Sequence, residues 1–191
     1  MNKVKFFVMF FLIFTIMFGH VSWIFAVPYE SYNYSYDHSV KPSPMPYVPY
    51  KIVDGEELNI GSLKEPEDIY ITDQGNIYIL DTGNNRIVCI DSEWNVIRII
   101  DKFYNNGRED KFNKPYGIFV SKNDRIFVAD TDNQRIVELT GDGEFIREIG
   151  TPESDVLRSN FKYIPVKVVV DSSERIYVVS KGVFDGIMEF D

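Results

Sequence analysis

The chain changes pattern several times between its ends. Phe6 to Phe18 is an almost unbroken apolar run, FFVMFFLIFTIMF, behind Lys3 and Lys5, and no acidic residue occurs before Glu30. A positive start followed by such a run predicts an N-terminal hydrophobic helix serving as a secretory signal over residues 1–26, with Ala26 as a small residue for cleavage. Apolar character continues through Trp23, Ile24 and Phe25. Residues 6–27 would make about 33 Å of helix at 1.5 Å per residue, so an uncleaved membrane anchor is the alternative. Residues 28–50 hold five Pro, six Tyr and four Ser. Pro at 42, 44, 46 and 49 fixes φ and removes donors, which predicts an extended linker over 27–46. Tyr47–Leu58 alternates apolar and polar positions and predicts a single strand. Beyond residue 60, β-branched and aromatic runs of five or so residues are separated by Asp, Asn, Gly and Ser turns. That is a strand pattern, and no window keeps a helical period.

The strands repeat. Pro66-Glu67-Asp68-Ile69-Tyr70-Ile71-Thr72 precedes a turn and then Ile77-Tyr78-Ile79-Leu80-Asp81. Pro115-Tyr116-Gly117-Ile118-Phe119-Val120-Ser121 precedes Ile126-Phe127-Val128-Ala129-Asp130, and Pro165-Val166-Lys167-Val168-Val169-Val170-Asp171 precedes Ile176-Tyr177-Val178-Val179-Ser180. The prolines lie 49 and 50 residues apart. In the second unit the strands are predicted at 117–121, 126–130, 135–140 and 144–149. Four strands in a repeat of 40–50 residues predict a propeller blade, whose two faces can be buried only by stacked neighbours.

Asp81-Thr82-Gly83-Asn84-Asn85-Arg86-Ile87 and Asp130-Thr131-Asp132-Asn133-Gln134-Arg135-Ile136 resemble the hallmark of NHL-repeat blades. The similarity covers about residues 60–191. It implies an all-β fold, a partial β-propeller of two to three four-stranded antiparallel blades, preceded by the hydrophobic helix. The blades fall at about 60–105, 110–155 and, incomplete, 160–191 within a propeller region of 47–191, and Tyr47–Leu58 is expected to be a closing strand. A complete member is expected to have six blades, so the chain resembles the N-terminal portion of a longer propeller. The third unit departs from the pattern: Ser180 replaces the Asp, and no Arg precedes Ile187. Asp81 and Asp130 are expected to accept turn N–H groups and Arg86 and Arg135 to reach back to them, a structural motif repeated once per blade.

Composition narrows the chemistry. With 20 Lys+Arg against 29 Asp+Glu the net charge is −9. Loss of Lys3 and Lys5 with the leader, which holds no acid, would take it to −11. Such a field repels phosphate and excludes nucleic acid as a partner. Cys89 has no second cysteine to pair with. Two histidines, His20 and His38, leave no material for a zinc site or a Ser-His-Asp triad. Asp130-Thr131-Asp132-Asn133-Gln134 starts like a calcium loop but has Arg135 where that loop needs Gly. No metal, cofactor or catalytic residue is therefore assigned.

One face of a propeller would gather Glu67, Asn84, Asn85, Lys114, Tyr116, Asp132, Asn133 and Gln134. Amides and carboxylates beside an aromatic suit a protein surface or a polar ligand such as a carbohydrate. The expected role is a secreted or cell-surface binding scaffold, a membrane contact being confined to residues 6–27. The alternative is a truncated propeller enzyme of the lyase or lactone hydrolase type. Exposed blade faces and strand edges add self-association to the expected partners.

Overall fold

The computed structural model describes residues 31–43, 47, 49–154, 157, 161–181 and 187–190. The expected leader over 1–26, and with it the hydrophobic helix, lies outside them. Among the described residues no helix is long and apolar enough to cross a membrane, and the single helical element is the 3-10 turn Thr82–Asn84. The chain divides into two compact units, 1–52 and 53–191.

In the first unit β1 (Ser31–Tyr34) pairs antiparallel with β2 (Val40–Ser43), from Ser31↔Ser43 to Tyr34↔Val40. The Pro- and Tyr-rich tract, expected to be wholly extended, thus contains a hairpin. Its turn is closed by Ser35 N–H on the Ser39 carbonyl at 2.9 Å, with His38 at φ 64°. The Asp37 carboxylate accepts the Ser35 and Ser39 hydroxyls, which lowers its pKa to about 2. Alternating Tyr and short polar side chains let this tract pair once Ser and Asp supply the turn.

The second unit is built of antiparallel sheets. The first sheet is β3 (Pro66–Ile71), β4 (Ile77–Asp81), β5 (Arg86–Ile90) and β6 (Val96–Ile100), hydrogen-bonded in that order. A short hairpin of β7 (Phe103–Asn105) and β8 (Arg108–Asp110) follows. The second sheet is β9 (Pro115–Val120), β10 (Arg125–Asp130), β11 (Arg135–Thr140) and β12 (Phe145–Ile149), within two residues of the strands predicted. The third holds β13 (Pro165–Val170), β14 (Ile176–Ser180) and β15 (Ile187–Phe190).

Three repeated details shape each sheet. The turn between the first two strands closes the same way each time: Thr72, Ser121 and Asp171 donate their N–H to the carbonyls of Asn76, Arg125 and Arg175. The left-handed position of that turn is held by Gly75, Asp124 and Glu174. Pairing of the first two strands slips by one residue just after the proline, so that Glu67, Tyr116 and Val166 are bulged. A bulge turns its side chain away from the regular alternation.

The sheets stack in chain order with β9 beside both β3 and β13. Ile118, Val120, Ile126, Val128, Val137 and Leu139 of the second sheet pack on Tyr78, Leu80, Ile87, Cys89 and Ile100 of the first, with Phe103 and Phe112 between. Phe127, Ala129 and Ile136 on its other face meet Val168, Ile176 and Val178 of the third sheet, with Tyr163 between. Burial on both faces explains why Ile126–Ala129 of β10 is a continuous apolar run. At the second seam only glycine fits position 117, because a Cβ there would stand 2.5 Å from the Val166 carbonyl oxygen.

The strand expected over 47–58 is absent among the described residues of that segment. Among the described residues no strand pairs with it, and Asp54 instead caps a turn by accepting the Glu57 N–H at 2.9 Å. The turn places Leu58, with Val53, Ile60 and Leu63, on Ile77, Ile79, Val88 and Ile90.

Candidate functional site

The hallmark residues form one cluster in each of the first two sheets. Asp81 Oδ1 accepts the Lys64 N–H at 2.7 Å, and its Oδ2 accepts Asn84 Nδ2 at 2.8 Å and Arg86 Nε at 2.7 Å. Arg86 also donates to the Ile60 carbonyl at 2.9 Å. Asp130 repeats the set with Asn113 N–H at 2.7 Å, Asn133 Nδ2 at 2.9 Å and Arg135 Nε at 2.8 Å. Here the guanidinium further grips Asp110 through two nitrogens, at 2.7 and 3.0 Å, and Glu148 at 2.8 Å.

Burial pushes the Asp130 carboxyl up, against the three hydrogen bonds that pull it down. Arg135 holds the Asp110 carboxyl below its ordinary 3.8. Burial works against the charge of Arg135, yet bonds from Asp110, Asp130 and Glu148 leave its pKa raised. In the third sheet the Ser180 hydroxyl accepts the equivalent loop N–H, from Ile164, at 2.8 Å.

The threonine after each aspartate was not singled out by the sequence reading. Thr82 Oγ1 donates to the Pro115 carbonyl at 2.5 Å and Thr131 Oγ1 to the Pro165 carbonyl at 2.6 Å, both buried. Each hydroxyl therefore latches one sheet to the first strand of the next. The signal was present, since Asp-Thr recurs at 81–82 and 130–131 ahead of the next unit's proline.

The residues expected on the binding face have separate fates. Asn84 and Asn133 are spent inside the aspartate clusters. Asn85, left-handed at φ 54°, accepts the Lys114 N–H on its side-chain oxygen at 2.7 Å, which ties the first sheet to the segment leading into the second. Glu67 is exposed and Tyr116 half-buried at their bulges, and Asp132 and Gln134 are exposed beside Asn133. The structure brings Asn85 and Lys114 together and gathers Asn133 and Gln134 with Arg135 around an open depression.

A deeper cleft lies at the opposite end of the strands, where the three first-to-second-strand turns meet. Its volume is about 530 Å³. Tyr70, Phe119 and Phe127 line it as an aromatic wall, with ring centroids 5.1 Å apart for Tyr70–Phe119 and 6.5 Å for Phe119–Phe127. Lys122, Arg125 and Arg147 face Asp73, Asp171 and Glu174 around it. Glu138, fully buried behind the wall, accepts Arg125 Nη1 at 3.1 Å and Arg147 Nε at 2.5 Å and so fixes both guanidinium groups. Burial, followed by the charge of Asp73, raises the pKa of Tyr70. No histidine lines the cleft, and among the described residues no group of three His, Cys, Asp or Glu could hold a metal ion. The arrangement offers an apolar contact flanked by fixed charges of both signs.

The NHL repeat profile matches residues 63–90, which span β3 to β5 and the first Asp–Arg cluster. That segment is similar to an NHL repeat. No curated protein matches the chain. Among solved structures, hydrazine synthase from Kuenenia stuttgartiensis is similar at 13% identity and a TM-score of 0.49, over 71% of this chain and 33% of that one. Virginiamycin B lyase from Staphylococcus aureus is similar at 17% identity and a TM-score of 0.42, over 83% and 47%. The WD40 β-propeller domain of Doa1 is similar at 16% identity and a TM-score of 0.46, over 64% and 34%. The chain thus spans about a third to a half of the length of these structures. Within the matched segment, Asp81, Asn84 and Arg86 are the residues that build the cluster.

Proposed function

We propose that the chain is an exported or membrane-anchored NHL-repeat scaffold that binds an extracellular peptide segment or comparable polar ligand. The sheets at about 60–105, 110–155 and 160–191 are its propeller blades, carried behind a leader over 1–26 and a linker over 27–46. One observation carries the reading: the aromatic cleft of about 530 Å³ at the meeting of three turns, with Arg125 and Arg147 held by a buried carboxylate. That volume falls within the range of ligand pockets, which are lined by apolar groups with a few fixed polar ones. An apolar side chain against Phe119, with its neighbours' charges on Arg147 and Glu174, suits a peptide. A stacked sugar is the other occupant of the same wall. Exposed Glu67, Asp132 and Gln134, with half-buried Tyr116 and exposed Lys114, lie toward the other end of the strands and are a polar surface separate from the cleft.

The test is binding of peptide and glycan arrays by the full chain and by Phe119→Ala and Arg147→Ala variants. A peptide or glycan class lost about tenfold by both variants supports the cleft. Binding that neither variant alters, or no binding on either array, overturns it.

A further inference from the structure

The aromatic cleft has an equivalent at the first seam, and the two are finished differently. Phe127, Glu138 and Arg147 lie side by side across β10, β11 and β12, and Tyr78, Cys89 and Arg98 hold the same positions across β4, β5 and β6. Tyr78, Cys89 and Arg98 line a recess of about 510 Å³. There Arg98 is tied across the seam, to the Gly141 carbonyl and to Asp142 at 2.8 Å. In the cleft Arg147 instead bonds Glu138 of its own sheet, through Nε alone. The first recess is bridged by its arginine, and the cleft is not.

Six charged side chains line the cleft, and four of them are matched within the fold. Arg125 and Arg147 share Glu138, Glu174 lies 3.9 Å from Arg125, and Asp171 is paired with Arg175 at 2.7 Å. The other two, Asp73 and Lys122, are exposed and make no hydrogen bond or ion pair among the described residues. They occupy one position of the repeat. Thr72, Ser121 and Asp171 close the three turns, and the residue after each is Asp73, Lys122 or Ser172. The same point of three converging turns therefore carries an acid, a base and a hydroxyl around one aromatic wall. After burial, the charge of Asp73 is what raises the Tyr70 pKa, so this carboxylate is felt at the wall itself.

We propose that the cleft takes a short peptide by its two free ends, the ammonium on Asp73, the carboxylate on Lys122 and an apolar side chain on Phe119. This rests on the cleft being the binding site and names what it selects. A backbone passing through, or a neutral sugar, would leave both charges unanswered, whereas a zwitterion answers the two at once. Bonds between charged groups are about twice as strong as neutral ones, so the ends and not the backbone carry the selection. Arg147 adds a second cation on the sheet that carries Lys122, which sets the direction: carboxylate toward the second sheet, ammonium toward the first. The volume of about 530 Å³ is in the lower half of the range for small-molecule pockets and suits a ligand short enough to keep both ends inside.

Equilibrium dialysis of the full chain in mild detergent tests this, against a set of apolar dipeptides each supplied free, N-acetylated and C-amidated. The free form is expected to bind, and either cap to weaken it about tenfold. Asp73→Asn should weaken the free dipeptide about tenfold and leave the acetylated form unchanged; Lys122→Gln should weaken the free dipeptide as much and leave the amidated form unchanged. The capped ligands need no variant, so they decide the matter should either substitution disturb its turn. Free and capped dipeptides that bind alike, or variants that weaken capped and free forms equally, overturn the proposal. If Phe119→Ala still weakens that binding, the cleft itself stands. Dipeptides left unbound while longer capped peptides bind would sink the free-end inference alone, and no binding of any peptide or glycan would remove both readings.

Discussion

The second and third sheets meet the same requirement with different chemistry. Both must satisfy the N–H of the residue that leads into the first strand, Asn113 in one and Ile164 in the other. The second uses a sealed carboxylate, Asp130, which then draws in Asn133 and Arg135. The third uses the Ser180 hydroxyl, a neutral acceptor. What the fold demands at this position is one acceptor; the guanidinium follows from choosing a charged one. A buried carboxylate is tolerable only while its cation and hydrogen bonds are in place, so the second sheet is the more vulnerable to change.

Arg135→Met is the harshest test of that contrast. It strands the Asp130 carboxylate in the core and frees Asp110 and Glu148 at once. The expected loss is about 3–5 kcal/mol in urea unfolding, the range for breaking a buried pair from one side. A loss under about 1 kcal/mol would mean that Asp130 is held by its neutral donors alone.

Next in size is the latch. Thr131→Val keeps the shape and leaves the Pro165 carbonyl sealed without a donor, at an expected cost of about 1–3 kcal/mol. Thr82→Val should cost a similar amount at the Pro115 carbonyl. Lys181→Val, at the third sheet's exposed equivalent, should leave unfolding unchanged within about 0.5 kcal/mol. Equal losses at all three positions would show that the threonines act through local strand preference and not through the seam.

Much of this was legible in the sequence, and the reason is repetition. The spacing of Pro66, Pro115 and Pro165 placed the sheets, and the five-residue interval from Asp81 to Arg86 and from Asp130 to Arg135 marked pairs that do face each other across adjacent strands. The misses share a cause as well. The cleft joins Tyr70, Phe119 and Val170 from turns about 50 residues apart, and no local pattern records which ends of stacked strands converge. Glu67 and Tyr116 stand where they do because a one-residue slip turned them, and a slip leaves no periodic trace. The hairpin of β1 and β2 was hidden by the prolines around it. The strand expected at 47–58 had the right alternation but no partner strand among the described residues, and a strand without a partner has unpaired backbone groups to satisfy by turning.

Transplanting the third sheet's solution into the second sharpens the comparison. Asp130→Ser and Asp130→Ala both remove the charge, but only serine keeps an oxygen for the Asn113 N–H. The serine variant should be more stable than the alanine variant by about 1 kcal/mol, the net worth of one such bond. Equal stability would show that the loop N–H finds another acceptor and that Ser180 is incidental.

The smallest expected effect separates the two carboxylates on Arg135 by sign. Asp110 has its folded pKa lowered below 3.8 by the guanidinium. Its contribution is complete above its unfolded value and disappears as pH falls through the lower folded one. Asp130 has its folded pKa raised by burial, so its contribution runs the other way and declines as pH rises past 3.8. Asp110→Asn should therefore flatten the stability curve below about pH 4, whereas Asp130→Asn should steepen its rise with pH above about pH 4. Because Asp110 is partly exposed, with 29% of its side chain in solvent, its share is a few tenths to about 1 kcal/mol. Unfolding free energies of both variants at matched ionic strength, taken from neutral pH to about pH 3, would read the two slopes. Slopes of the same sign would mean that Asp110 and Asp130 titrate as one unit around Arg135, and the second sheet's cluster would then have to be treated as a single charged core.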